Sequence, residues 1–578
     1  MSRRSVLIAA LGFFLASATA QEGSFAHERG GTATCTLRTL ACAGSSNPGG
    51  FGFLRIEIAN VDTREHEVLV ELVTPTWLNA DVRVVRSVVL PPKERAVSFF
   101  PLPTPFPDPI LRFVVDGVEQ AQQVNFTQGE GIAGLLVSDR PDAGAAGVAC
   151  LHRLRFGPSG APQQRQVASA DAPTDWRLYT GFDVVIVDGR AALAPEVQEA
   201  LRRAAFAGAT VLLADPNSLP AGPLRTLAGS TTVPHGLGAL VTIGSLAGPV
   251  TVPSDLGQFG DGPLPIGEGL HDEMPIPGLG EAPVRVFVIV IVLFALVAGP
   301  VNFFWLRRRR QPLLALVTVP ALGFGTTAAI FAFGYFHDGF GVRGVAVSWT
   351  VLDQERHEAV TVCSRTLFAG RAPGAIVLPA DTMLMAPRAT TRTRGAADRF
   401  HLDVGTAALD GGVLPSRTST PLVTVQQGVV RQRLVARRDN DRLRLLADGG
   451  VVPLDRVVLR DHEGDYWAGP ANELERVDTA AASGRLAEAR SVWASMRRLV
   501  QRDERWHNRF RPEALLDEQA VEIGTLDERF LPATGLRRGS YVALVARPAW
   551  LDEHGFGAHY ESEQHWVRGR LAAEDFVQ

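Results

Sequence analysis

Two long apolar runs separated by four consecutive arginines constrain this chain more than any other feature. Residues 286–306 carry one polar side chain, Asn302, and residues 312–336 carry no charge. At about 1.5 Å of rise per residue, each run is long enough to cross a hydrocarbon core of about 30 Å. Between them lies Arg307-Arg308-Arg309-Arg310-Gln311. Positive charge concentrates in cytoplasmic loops, so the sequence predicts spans at 284–306 and 312–336, a cytoplasmic turn at 307–311, and both flanking regions outside. Trp305 stands where an interfacial aromatic anchors a helix. Gly299-Pro300 and Pro320 are positions for kinks, and Gly323, Gly325 and Gly334 would permit close helix contact. The apolar core of the hairpin carries no charged residue, since Arg285 stands at its outer end, so the hairpin reads as an anchor or docking element, not an ion pathway.

The N-terminus agrees with this topology. Met1-Ser-Arg-Arg, an apolar run at 6–16 and Ala18-Thr-Ala20 have the form of a cleavable secretory signal at 1–20. The run is too short to span a bilayer comfortably.

A chain of 578 residues exceeds what one core accommodates. Its formal net charge of −4 points to no nucleic-acid partner. Lys93 is the sole lysine and follows Pro91-Pro92 in a turn. A GxxxxGK phosphate loop is therefore excluded, and Lys93 is a poor Schiff-base candidate. The cysteines are Cys35, Cys42, Cys150 and Cys363, with no CxxC pair. A zinc ribbon is not expected. Cys35 and Cys42 are candidates to close a small disulfide loop in an oxidising compartment. No cofactor or metal site is expected.

The overall expectation is a multidomain α+β membrane protein. Residues 21–130 read as a β-sandwich of immunoglobulin-like character. Short strands at 51–58, 67–73, 82–90, 95–100 and 110–115 are separated by turn signals. Within the first, Leu54, Ile56 and Ile58 fall on one face, with Arg55 and Glu57 on the other. Residues 131–255 read as an α/β layer. Apolar strands at 132–137, 182–188 and 209–214 surround an amphipathic helix at 195–207 that stops at Gly208. A Gly/Pro-rich linker follows at 256–283. After the hairpin, residues 337–578 read as an exported β-rich region. Paired strands begin at 342 and 358, hairpins surround 438–441 and 462–464, one helix lies near 483–502, and GSYVALVARPAWL reads as a closing strand.

The strings FDVVIVDG, LAPEVQEALRRAAFAGATVLLADP and HGLGALVTIG resemble the class I glutamine-amidotransferase-like domain of certain bacterial membrane proteins. The hairpin sequence APVRVFVIVIVLFALVAGPVNFFWLRRRRQPLLALVTVP resembles their membrane segment. The resemblance covers roughly residues 50–350. It implies an exported amidotransferase-like domain on a two-helix anchor, in proteins largely uncharacterised and often encoded near MoxR-type ATPases and von Willebrand factor A-type proteins. True amidotransferases carry a nucleophilic cysteine in a G-x-C-x-G elbow, which this chain lacks. Cys150, in Gly147-Val-Ala-Cys-Leu-His152, reads as helical. Two residues apart on a helix, Cys150 and His152 diverge.

Asp139, Asp188 and Asp215 each follow an apolar strand. Ligands bind beyond the carboxyl ends of parallel strands, so the three are candidates to converge on a polar ligand. The competing reading makes them caps of their own loops. His271-Asp272-Glu273 reads as solvated linker, His235 as a turn residue, and Asp461, His462, Glu463 and Asp465 as a solvated hairpin tip. No catalytic residue is assigned. The leading expectation is a non-catalytic envelope interaction or assembly protein in the bacterial inner membrane, partnered by the bilayer and by other envelope or membrane proteins. Two alternatives stand beside it: a hydrolase or ligand sensor using the α/β site, and an accessory subunit of an exporter or cell-wall complex.

Overall fold

The computed structural model describes residues 21–29, 32–42, 50–75, 80–103, 110–123, 133–153, 163–227, 232–246, 274, 276–277, 279, 284–337, 339–379, 381–384, 398–403, 408–410, 414–430, 433–439, 442–448, 453–478, 536–545 and 556–577. The expected signal at 1–20, the helix expected near 483–502 and His271-Asp272-Glu273 lie outside these residues. The fold is β-rich, with several sheets, few helices and two apolar helical spans.

The N-terminal strands are β1 (Gln21–Arg29), β2 (Thr32–Cys42), β3 (Phe51–Asn60), β4 (His66–Pro75), β5 (Ala80–Leu90), β6 (Arg95–Pro103), β7 (Ile110–Val115) and β8 (Val118–Gln123). They form a sandwich. One sheet has the order β1-β2-β3-β6, and the other contains β5-β4-β7-β8. Alternation sets the core. Leu54, Ile56 and Ile58 of β3 are fully buried against Val70 and Leu72 of β4 and Phe113 of β7, whereas Arg55 and Glu57 are half-buried.

The expected Cys35–Cys42 disulfide does not form; both thiols are free and buried. Both lie on β2, seven positions apart, which at about 3.3 Å per residue separates them by about 23 Å. An odd spacing also sends them to opposite faces: Cys35 enters the sandwich core and Cys42 the core beneath the α/β layer. Burial pushes their thiols up to about 11 and about 12, respectively.

The α/β layer comprises β9 (Ala133–Val137), α1 (Ala143–Arg153), β10 (Gln163–Val167), β11 (Val184–Asp188), α2 (Pro195–Ala207), β12 (Thr210–Ala214), β13 (Thr232–His235) and β14 (Gly238–Ile243). The sheet order is β10-β9-β11-β12-β14-β13, parallel except for the edge strand β13. The continuous apolar strands arise because both faces are covered. Val184 and Ile186 pack with Cys150 and Leu151 of α1, whereas Val185 and Val187 pack with Leu201 and Ala204 of α2.

The hairpin runs through α3 (Val284–Leu296), a π-turn at Val297–Val301, α4 (Asn302–Arg308) and α5 (Ala315–His337). Pro300 has no N–H to donate, and the π-turn absorbs the defect. The Asn302 N–H reaches back to Val297 O. Phe287–Arg308 and Ala315–Phe333, 22 and 19 residues long, are long and apolar enough to cross a membrane. Their apolar side chains face outward: Leu316 is 83% exposed, Phe324 79% and Phe331 77%. Asn302 Nδ2 donates to Thr318 Oγ1 at 2.9 Å, joining the two legs. Gly323 and Gly325 do not mediate that contact, since nothing lies within 4 Å of where their Cβ atoms would be.

After the hairpin come β15 (Val342–Asp353), β16 (Glu358–Ala369), β17 (Ile376–Val377), β18 (Thr382–Leu384), β19 (Asp398–Asp403), β20 (Ala408–Asp410), β21 (Ser419–Val429), β22 (Arg433–Asp439), β23 (Arg442–Asp448), β24 (Pro453–Arg460), β25 (Tyr466–Gly469), β26 (Glu475–Val477), β27 (Ser540–Val545), β28 (Ala558–Arg570) and β29 (Phe576–Val577). Among the described residues a nine-stranded sheet has the order β18-β21-β16-β15-β28-β27-β24-β25-β26. The expected pairs β15–β16, β22–β23 and β24–β25 all form. The GSYVALV strand, β27, does not close the sheet; β28 lies between it and β15.

The regions before and after the hairpin are joined. β19 pairs in parallel with β5, extending the second sandwich sheet to β17-β20-β19-β5-β4-β7-β8. Helix α2 meets the nine-stranded sheet through Arg202, which bonds Glu358 of β16, and Arg203, whose Nε donates to Gln427 Oε1 of β21, and its Leu201 and Ala204 share one core with Val360 and Val362. Part of the linker joins too. Met274 and Ile276 are buried in this core, and the Met274 N–H donates to Thr366 Oγ1 at 2.7 Å.

Candidate functional site

Strands β9, β11 and β12 are neighbours and parallel, so Asp139, Asp188 and Asp215 fall on one edge of the α/β sheet. Each is already engaged. Asp139 Oδ1 accepts from Ser169 N at 2.8 Å; its Oδ2 accepts from Ser169 Oγ at 2.8 Å and Ala192 N at 2.9 Å. Partial burial works to raise its pKa, and these three donors outweigh it, holding the carboxyl below the usual range. Asp188 is fully buried. Its Oδ2 accepts from Ser138 Oγ and Arg140 Nε, both at 2.8 Å, and its Oδ1 from Arg190 N at 3.2 Å. Here too burial opposes ionisation, and the Ser138 and Arg140 donors prevail, so the pKa is lowered.

Asp215 adopts the left-handed conformation, with φ 49° and ψ 53°. Its Oδ2 lies 3.7 Å from Arg190 Nε. A Cβ on Gly189 would stand 2.2 Å from the Asp215 carbonyl oxygen, which explains why glycine follows Asp188. The three aspartates thus tie loops to strand ends and balance Arg140 and Arg190. The oxygens of Asp139 and Asp188 are committed within the chain, as expected for loop-capping residues, whereas Asp215 makes no side-chain cap and its carboxylate faces the exposed Arg190.

Among the described residues, the group of three whose ligand atoms lie within 4.8 Å of one another is Asp461, Glu463 and Asp465. Asp461 Oδ1 accepts from Gly464 N at 2.7 Å and Asp465 N at 2.9 Å, and its Oδ2 from Trp467 Nε1 at 2.8 Å. Asp461 organises the β24–β25 turn; Glu463 and Asp465 face Arg438 and Arg476.

Cys150 is fully buried on α1 and His152 is exposed, so the two diverge as helical spacing requires. His235 ends β13 at a turn, as expected, but it is buried, with its ring 5.1 Å from Phe206. Two constellations had no sequence signal, because their members lie 217 and 156 positions apart. On adjacent strands β15 and β28, Ser348 Oγ lies 2.7 Å from His565 Nδ1, and His565 Nε2 lies 3.0 Å from Glu563 Oε2. This serine–histidine–carboxylate chain has the residue types of a hydrolytic triad. Ser348 is fully buried, however, which denies a substrate access to its hydroxyl. The second is Arg202 of α2, whose guanidinium donates to both oxygens of Glu199 and both of Glu358 at 2.6–2.8 Å. Burial works against its charge, and the two carboxylates overcome that and raise its pKa.

No protein-family profile and no curated protein matches the chain. Solved structures match parts of it. The X-ray structure of Northeast Structural Genomics Consortium target SoR45 is 12% identical, covering 18% of this chain and 80% of its own, with a TM-score of 0.10. A Paenibacillus cycloisomaltooligosaccharide glucanotransferase complexed with cycloisomaltoheptaose is 11% identical, with a TM-score of 0.12. That match covers 30% of this chain and 44% of the glucanotransferase. At these TM-scores neither likeness carries an argument about fold or activity.

Proposed function

We propose that this chain is a membrane-anchored envelope protein that acts by interaction or assembly, without catalysis of its own. The observation that carries the reading is the contrast between hairpin and body. The hairpin helices expose their apolar side chains, while the segments on either side share a sheet through β5 and β19. A buried core helix would hide those side chains; bilayer lipid would cover them. Strands that pair must lie on one side of a membrane. The β5–β19 pairing therefore supports an even number of crossings between them, which two helices supply. With the arginine turn cytoplasmic, the body lies outside, in keeping with an inner-membrane protein exported by its N-terminal signal. We read the sandwich as immunoglobulin-like and the α/β layer as related to amidotransferase-like domains that have lost the nucleophile elbow. The commitment of Asp139 and Asp188 to internal donors favours a structural use of that layer.

The test is crosslinking in native membranes followed by capture of the full chain. A discrete adduct on the exported body, lost when residues 284–337 are replaced by a flexible linker, is the expected result. Recovery of free chain alone, or release of the full chain by alkaline washing, would overturn the reading.

A further inference from the structure

The hairpin holds a cavity of about 750 Å³ at the end that bears the arginine turn. Gly299, Pro300, Phe303 and Val319 supply apolar wall, and Arg307 and Arg310 line the same space. The Asn302–Thr318 hydrogen bonds satisfy the polar groups between the legs. At Gly299, nothing lies within 4 Å of where a Cβ would be.

The four arginines are not equivalent. Arg309 stacks over Trp305, its guanidinium 4.5 Å from the ring centroid. Arg310 is held at φ 56° by a helix-ending motif in which its own N–H bonds Arg307 O and the Gln311 N–H bonds Leu306 O. That conformation is one a non-glycine residue rarely adopts. Residues 282–337 contain no aspartate or glutamate, so the hairpin offers these guanidiniums no anion of its own.

We infer that this cavity binds an anionic phospholipid, with its phosphate between Arg307 and Arg310 and an acyl chain along the Gly299 wall. Guanidinium recognises phosphate with paired donors, and basic pockets between membrane helices on the cytoplasmic side suit such headgroups. A zwitterionic headgroup brings its own cation, which competes with the two arginines; a net anionic one does not. The inference rests on the membrane reading above.

The test uses the full chain reconstituted in lipid nanodiscs, where sidedness plays no part, with retained lipid counted by native mass spectrometry. Discs contain phosphatidylcholine alone or an equal mixture with phosphatidylglycerol. Three proteins are compared: wild type, Arg307→Gln/Arg310→Gln and Arg308→Gln/Arg309→Gln, the last two matched in charge. Wild type and the 308/309 variant are expected to retain phosphatidylglycerol preferentially. The 307/310 variant is expected to lose that preference by roughly 10- to 30-fold. Equal loss in both variants would reduce the effect to bulk charge and overturn the site, as would wild type without preference. Failure of wild type to enter phosphatidylcholine discs would instead overturn the membrane reading, and the lipid site with it.

Discussion

His235 closes β13 at the junction where α2 meets the nine-stranded sheet. Its Nε2 has no hydrogen-bond partner among the described residues. Burial first, then Arg202 and Arg356, pull its pKa down to about 4, with Asp353 acting weakly the other way. The folded value lies below the ordinary histidine value of 6.5, so the unfolded chain binds a proton that the folded chain refuses. Stability should therefore fall as pH drops from about 6.5 to about 4, by up to about 3 kcal/mol. Asp139 and Asp188 behave differently. Their pKa values are lowered, so their contribution is present above the ordinary aspartate value of 3.8 and is lost below it. Denaturant midpoints between pH 7 and 4.5 isolate the histidine. His235→Phe should flatten the slope; an unchanged slope would assign the acid sensitivity elsewhere. The sequence places His235 in a turn correctly, but nothing nearby announces its burial. The Cys35–Cys42 spacing misleads for a related reason: proximity along the chain becomes distance once both residues share one extended strand.

At the scale of elements, strands with one hydrophobic rule were legible. The apolar runs of β11 and β12 and the alternation of β3 follow directly from which faces are covered. β28 escapes that rule. Its sequence AHYESEQHWVRGR reads as polar, yet it runs between β15 and β27. Hydrogen bonds replace hydrophobicity there, since His565 bonds Ser348 on the neighbouring strand β15 and Glu563 on its own strand. Truncating Ser348 to alanine should therefore cost about 1–3 kcal/mol, by removing a buried side-chain hydrogen bond; a shift below about 0.5 kcal/mol would mean that the pair contributes nothing. The joint between α2 and β16 depends likewise on charge. Arg202→Met strands the partly buried Glu358 carboxylate, whose side chain is 24% exposed. Discounted for that exposure, the loss should be about 2–3 kcal/mol in equilibrium unfolding, and a value under 1 would show the pair to be solvent-screened.

Across the whole molecule, the sequence reads as modules strung along the chain, while the structure joins them across the hairpin. Local patterns place strands, but they carry no information on which strand meets which over hundreds of residues. The β5–β19 pairing, the packing of α2 on the post-hairpin sheet and the burial of Met274 therefore could not be read in advance. The two long apolar helices could, because length and apolarity are local properties. The central claim is that one body, assembled from both sides of the hairpin, hangs from two membrane helices. Single cysteines introduced at Arg95, Arg309 and Arg356, probed with a membrane-impermeant maleimide in intact spheroplasts, test it most directly. The account predicts labelling of Arg95→Cys and Arg356→Cys from outside, and of Arg309→Cys only after permeabilisation. Labelling of Arg309→Cys from outside, or of Arg95→Cys and Arg356→Cys from opposite sides, would contradict it.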